Sequence, residues 1–309
     1  MLNSKIHFSI SKKDFLGEVE ANRIPPLAAE ITYIPPDILY PVFFGANSFL
    51  LESVKGPENI ARYSFIGFDP YLIFKAKDGY IENTYKGKKA VSTGNPLSRI
   101  KSLVSAYRQK PIKSLPPFQG GTVGLLSYDF VQYLEKLPKT TKDDLKIPDA
   151  HFFMIDKLIA FDHLDKKAWI VVCPGARDTE LGYGDVDVDW AEKYDEAEKV
   201  IQDTRCKIQD EGYRIKKEEH ASCIMHHASS IRHEMSKEQY MDIVRRAKEY
   251  IAAGDIFQIN LSIRVSADIK NTKPWSLYKI LRSINPSPFA GYIDFGDYQI
   301  ASSSPERLL

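Results

Sequence analysis

Tyr71-Leu72-Ile73-Phe74 runs through Asp78-Gly79 into Tyr80-Ile81, and the reading of this stretch decides the fold. Asp-Gly is a preferred two-residue hairpin turn because both positions tolerate positive φ, so the stretch predicts two antiparallel strands. Outward from it, residues 40–172 read as mostly strand, with short apolar or alternating runs separated by turn signals. Leu158-Ile159-Ala160-Phe161 and Trp169-Ile170-Val171-Val172 predict a second hairpin. One helix interrupts the strands: Asn95 can cap it, Pro96 suits its first position, and Leu97, Ile100, Leu103 and Val104 keep helical spacing.

Residues 174–189 are rich in Gly and Asp and read as a loop. A charged helix follows, with Trp190, Tyr194, Ala197 and Ile201 on one stripe that can dock on a sheet. Residues 211–235 carry no sustained period and read as a linker between 1–210 and 236–309. The second half opens on Ser236 and Gln239 at capping-box spacing, with Met235 and Tyr240 at the staple positions. Tyr240, Ile243, Val244, Ala247 and Tyr250 stripe the helix that starts there, and Gly254 supplies a left-handed stop. Next, Phe257, Ile259, Leu261, Ile263 and Val265 alternate with Gln258, Asn260, Ser262 and Arg264, which predicts a strand. A short helix over residues 277–284 ends before Pro286, and Tyr292-Ile293-Asp294 to Tyr298-Gln299-Ile300 reads as a hairpin turning near Gly296-Asp297.

At 309 residues the chain is long enough to bury a sizeable core. Lys plus Arg number 42 against 41 Asp plus Glu, so no overall field draws the chain to a polyanion, and nucleic acid is not expected as a partner. Cys173, Cys206 and Cys223 are too few and scattered for a disulfide framework, which points to inert thiols in a reducing cytoplasm. The first residues are broken by polar side chains and by Lys12-Lys13 before an apolar run reaches signal-peptide length, and no later run suits a membrane span.

Several groups invite a chemical reading, and each has a plainer one. Gln258, Asn260, Ser262 and Arg264 present donors and acceptors in one row, as a site for a polar acidic ligand requires, or as the wet side of an antiparallel strand does. Ser304-Pro305-Glu306 places a carboxylate just past a strand. A helix start explains it, with Ser304 capping and Glu306 at the positive end of the dipole; a shielded general acid also explains it. His220, Cys223, His226 and His227 match no structural-zinc spacing well, and a solvated polar linker is the default. Gly120-Gly121-Thr122-Val123-Gly124 lacks a Walker lysine and dinucleotide spacing, so its glycines fit close backbone approach within a sheet better than a phosphate loop.

Four stretches together resemble the chorismate-utilising family that contains anthranilate synthase component I and aminodeoxychorismate synthase component I. They are Phe49-Leu50-Leu51-Glu52-Ser53 with Arg62-Tyr63-Ser64-Phe65-Ile66-Gly67; Gly120-Gly121 through Tyr128-Asp129; Gly254-Asp255-Ile256-Phe257-Gln258-Ile259-Asn260-Leu261-Ser262; and Asn285-Pro286-Ser287-Pro288-Phe289 through Ser304-Pro305-Glu306. The resemblance implies an α+β fold of two large antiparallel sheets packed face to face with helices outside, incomplete at the C-terminus. It implies Mg²⁺ and ammonia from a glutamine amidotransferase subunit. It places the magnesium-binding glutamates, a catalytic histidine and glycine-rich substrate loops in a later part of the family sequence, so the chain alone is expected to be inactive.

By the same resemblance Glu306 protonates the departing C4 hydroxyl of chorismate. Glu52, Ser53, Arg62 and Tyr63 form one wall of a tryptophan pocket, and Pro288, Phe289 and Ala290 form the other. Asn260-Leu261-Ser262 and Pro288-Phe289-Ala290 look closer to the aminodeoxychorismate branch, which serves p-aminobenzoate and folate. Anthranilate synthase, which serves tryptophan biosynthesis, is the alternative, and a non-catalytic tryptophan-binding or amidotransferase-docking module is a second.

Overall fold

The computed structural model describes residues 6–21, 23–57, 61–138, 142–178, 188–218, 231–269 and 272–306. In chain order the strands are β1 (Leu27–Ile31), β2 (Ser48–Glu52), β3 (Tyr63–Gly67), β4 (Leu72–Lys77), β5 (Tyr80–Tyr85), β6 (Lys88–Thr93), β7 (Gly121–Leu126), β8 (Ala150–Ile155), β9 (Lys157–Asp162), β10 (Lys167–Val172), β11 (Ile231–His233), β12 (Val265–Ala267), β13 (Phe289–Asp294) and β14 (Gln299–Ser304). The helices are α1 (Lys12–Glu20), α2 (Pro36–Leu39), α3 (Pro96–Ala106), α4 (Trp190–Glu218), α5 (Lys237–Ala253) and α6 (Pro274–Ile284). The chain divides into two compact units, one of Met1–His220 with Tyr278–Leu309 and one of Ala221–Leu277.

The larger unit holds a seven-stranded sheet in the order β1-β10-β9-β3-β2-β13-β14 and a five-stranded sheet in the order β6-β5-β4-β8-β7. Every named pairing is antiparallel. The opening hairpin forms as its residues dictate, with Asp78 at φ 49° and Gly79 at φ 81° turning β4 into β5. Lys86-Gly87 repeats the device, at φ 46° and 73°, between β5 and β6.

Period-two alternation then decides which residue joins which core. Phe153 and Ile155 of β8 meet Phe49, Leu158, Ala160 and Val171 of the other sheet in a core between the sheets. Ala150 and Met154, on the opposite face of β8, join Leu72, Phe74 and Ala76 of β4 in a second core closed by Leu103 of α3. On the seven-stranded sheet, α4 lies along β1 and β10, with Tyr194, Ala197 and Ile201 of its expected stripe buried. Phe15 of α1 packs 5.4 Å from Tyr194, ring to ring.

The glycine run belongs to β7 and is explained by approach, as its lack of a phosphate-loop pattern suggests. A Cβ on Gly124 would stand 2.1 Å from the His151 carbonyl oxygen of the paired strand. At Gly120, φ is +133° and a Cβ would meet the Tyr107 hydroxyl and the Cys173 sulfur. Cys173 is accordingly a packed, buried thiol, whereas Cys206 is exposed and Cys223 lies outside the described residues.

His151 itself sits in the core between the sheets, fully buried, with Nδ1 3.0 Å from the Tyr298 hydroxyl, its ring against Phe295, and Nε2 without a partner. Burial pushes its pKa down to about 3, and Lys75 works in the same direction. A depressed histidine pKa contributes stability that is present above its unfolded value near 6.5 and is lost as pH falls toward 3. Urea midpoints of the wild type should therefore fall from pH 7 to pH 4.5, and His151→Phe should fall less steeply. Equal slopes for the two proteins would contradict the assignment.

In the smaller unit, Ser236 and Gln239 close a complete capping box on α5, and Gly254 ends that helix at φ 81°. Here one expectation is corrected. Residues 257–264 are not a strand; only Val265–Ala267 is, paired with Ile231–His233, and Phe257 is 94% exposed. Alternation marks a segment fit for a half-buried pleated surface, but a strand exists only where another backbone pairs with it; Arg264 accepts one backbone bond from Glu234 at 3.2 Å beside β12, and no described segment pairs with 257–263. Two further differences are small: α4 continues to Glu218, into the stretch read as linker, and α6 begins at Pro274. The His220, Cys223, His226 and His227 cluster lies outside the described residues. No helix among the described residues is long and apolar enough to cross a membrane.

Candidate functional site

Antiparallel order brings the tryptophan-wall segments to one end of the larger sheet. β2 lies between β3 and β13, so its last residue stands beside the first residues of both neighbours. Ala290 is opposite Glu52 in register, and the Ser53 hydroxyl donates to the Pro288 carbonyl oxygen at 3.1 Å. The Ser53 amide donates to the Ser64 hydroxyl at 3.2 Å, which ties the same corner to β3. Glu52, Ser53, Pro288, Phe289 and Ala290 therefore share a sheet end with Tyr63, which begins β3, and with Arg62 just before it.

The charged members of this corner are held by protein groups. Glu52, only 4% exposed, accepts from the Tyr278 hydroxyl at 2.7 Å and from Arg282 Nε at 2.9 Å and Nη2 at 3.2 Å. Arg282 also reaches Asp37 at 3.2 Å. Burial raises the Glu52 carboxyl above the ordinary carboxylate range, and the hydrogen bonds from Tyr278 and Arg282 act against that rise. A carboxylate so enclosed needs its cation, because removing one partner of a buried pair leaves the other charge uncompensated. Arg62 clamps Asp162, through Nε at 3.0 Å and Nη2 at 2.7 Å, and lies 5.1 Å over the Tyr63 ring.

Tyr278, Arg282, Asp37, Asp162 and His163 belong to no motif in the sequence, and Ser64 stands there only within the Arg62-Tyr63-Ser64-Phe65-Ile66-Gly67 stretch. One signal was available: Tyr278 and Arg282 are four apart on a helix, so they share the face that meets Glu52. The others come from different strands and turns, and only the topology joins them.

Glu306 stands two residues beyond β14 and is exposed, with the Ser304 hydroxyl donating to its backbone carbonyl at 2.9 Å. Residues 307–309, where a helix capped by Ser304 would continue, lie outside the described residues. Gln258, Asn260, Ser262 and Arg264 are exposed, and Arg264 pairs with Glu234 at 3.8 Å. Among the described residues, no three His, Cys, Asp or Glu side chains are grouped to hold a metal ion.

Comparison with known proteins adds three relatives and a fold. A family model described as chorismate binding enzyme matches residues 46–309. Anthranilate synthase component 1 of Acetivibrio thermocellus is 36% identical over 263 residues, covering 84% of this chain and 51% of that protein. Its counterpart in Thermus thermophilus is 38% identical over 262 residues, covering 85% and 51%. Aminodeoxychorismate synthase component 1 of Bacillus subtilis is 32% identical over 261 residues, covering 84% and 50%. The crystal structure of anthranilate synthase component I from Streptococcus pneumoniae TIGR4 superposes with a TM-score of 0.60 at 25% identity, covering 80% of this chain and 51% of that one. The chain thus spans about half the length of the curated relatives it matches.

Proposed function

We propose a chorismate-aminating function for this chain, which belongs to the chorismate binding enzyme family. The observation that carries the proposal is the family match over residues 46–309, joined to relatives that are named as anthranilate or aminodeoxychorismate synthase components. The reaction adds ammonia to chorismate in the full-length protein, with Mg²⁺ bound by residues outside those described and ammonia supplied by a glutamine amidotransferase partner. Glu306 is the proposed general acid for the C4 hydroxyl. Such a role needs the carboxyl shielded from water, so that its proton is retained near neutral pH.

Two products compete. The segments Asn260-Leu261-Ser262 and Pro288-Phe289-Ala290 favour 4-amino-4-deoxychorismate. Identities of 36% and 38% to two anthranilate synthases and of 32% to an aminodeoxychorismate synthase do not separate the branches, since further anthranilate synthases match at 30–32%, and we take anthranilate as the first reading to be tested. The full-length protein with chorismate, Mg²⁺ and ammonium should consume chorismate and release one pyruvate for each anthranilate formed. Consumption without pyruvate would assign the aminodeoxychorismate branch, and chorismate left intact would overturn both.

The corner of Ser53 and Pro288 is proposed as the wall of an L-tryptophan site, supported by the hydrogen bond that joins the two segments. A ligand that binds only the folded state stabilises it by about 2.7 kcal/mol at a hundredfold excess over its dissociation constant. L-Tryptophan should therefore raise the melting temperature, and Ser53→Phe should abolish the rise. A folded protein indifferent to millimolar tryptophan would refute the site.

A further inference from the structure

Behind Ser53 runs a chain of hydrogen bonds that the proposed reaction does not use. The Ser53 amide donates to Ser64 Oγ at 3.2 Å, Ser64 Oγ lies 2.6 Å from His163 Nε2, and His163 Nδ1 lies 2.7 Å from the Tyr33 hydroxyl. The links belong to four separate pieces of chain: the end of β2, β3, the turn after β9, and the segment before α2. Ser64 is fully buried, so its single hydroxyl proton needs an acceptor close by.

A count of hydrogens fixes the state of the ring. A serine hydroxyl has one proton and two acceptor positions, and the Ser53 amide takes one of those positions. If Nε2 carries no proton, Ser64 donates to it, Nδ1–H donates to the Tyr33 oxygen, and the half-buried Tyr33 turns its own proton outward. If Nε2 carries a proton, the second acceptor position of Ser64 is filled, and none of the protein contacts described for Ser64 takes its hydroxyl proton. Among protein groups, the neutral ring protonated at Nδ1 is the state that satisfies every member.

We propose that His163 is a positioning residue: by accepting the Ser64 hydroxyl proton it holds Ser64, and through it the Ser53 backbone, where a ligand on this wall needs it. The proposal rests on the tryptophan-site reading and adds to it a proton-sensitive support. Acid charges the ring, turns Nε2 into a donor and displaces the Ser64 proton, so the Ser53 amide loses its anchor. Burial holds the His163 ring below the ordinary imidazole range; Lys166 of the same turn and Arg282 of α6 push the same way, while Asp162 of β9 and Asp37 of α2 oppose them.

The test is calorimetric titration of the full-length protein with L-tryptophan at pH 7.5 and 4.5, the lower value chosen because burial lowers the His163 ring, on wild type, His163→Gln and His163→Leu. The wild-type dissociation constant should rise about fivefold on acidification, the worth of one ordinary hydrogen bond. His163→Gln, whose amide oxygen can still accept from Ser64, should bind like wild type at pH 7.5 but lose the pH dependence. His163→Leu should bind weakly at both pH values. Because Glu52 is also a raised, buried carboxyl in this corner, the flattening by His163→Gln is what assigns the proton to His163. Tryptophan binding that is unaffected by all three changes overturns the relay alone. No binding to wild type at either pH overturns the site reading and this proposal with it.

Discussion

Gly124→Ala should destabilise the protein by about 3 kcal/mol or more, the upper range for overpacking a well-filled interior. The added methyl would stand 2.1 Å from the His151 carbonyl oxygen and 2.7 Å from Phe152 Cα, both backbone atoms of the paired strand. A flexible side chain can swing clear of such a clash, but a strand can only move away, and β8 is held on its other side by β4. The displacement would open the core between the sheets where Phe153 and Ile155 pack. For a unit of this size, a melting temperature lower by roughly 6–12 °C is expected. Gly17→Ala is the matched control: Gly17 lies inside α1 with nothing within 4 Å of its Cβ position, so the change should stabilise by up to about 1 kcal/mol. Equal melting temperatures for Gly124→Ala and wild type would mean that β7 is not paired with β8 as described.

These glycines show which parts of the fold could be read in advance. Asp78-Gly79, Asn95-Pro96, Ser236 with Gln239, and Gly254 each act through atoms within a few residues, so the sequence displays the whole interaction and the structure reproduces it. That Gly120 and Gly124 sit where backbone comes close was also legible, though not which strand does the approaching. Residues 257–264 mark the limit. Their alternation is as regular as that of any real strand in the chain, yet a strand is a property of two segments and the pattern describes one.

The proposed site divides along the same line. Glu52, Ser53 and Pro288 enter it through resemblance alone, and the β2 and β13 pairing accounts for their meeting. Arg282, His163 and Ser64 were missed because no periodicity or motif marks a histidine in a turn that faces a serine about a hundred residues away, at a separation of 99. Tertiary polar networks leave little trace in one sequence, since their members answer to one another rather than to their neighbours in the chain.

Glu306→Gln in the full-length protein is expected to lower kcat and kcat/KM together, by on the order of 10² or more, with little change in melting temperature. Amide and carboxyl have similar shape, but the amide cannot supply the proton that the C4 hydroxyl needs as it leaves. A capping role predicts the reverse: turnover near wild type and a stability cost of roughly 0.3–1 kcal/mol, since only a dipole interaction is lost. Measuring both quantities on one variant separates the two roles. Near wild-type turnover would remove Glu306 from the chemistry.

The origin of the group that enters chorismate tests the account most directly, because amination separates this reading from a water-using relative of the same family. The full-length protein should be supplied with chorismate, Mg²⁺ and ¹⁵N-ammonium in ¹⁸O-water, and the products weighed by mass spectrometry. One ¹⁵N is expected in every molecule of the ring product, anthranilate with pyruvate released or aminodeoxychorismate without it, and no ¹⁸O in that ring product; the pyruvate, whose keto oxygen exchanges with water, is left out of the comparison. A ring product carrying ¹⁸O and no ¹⁵N would rule amination out.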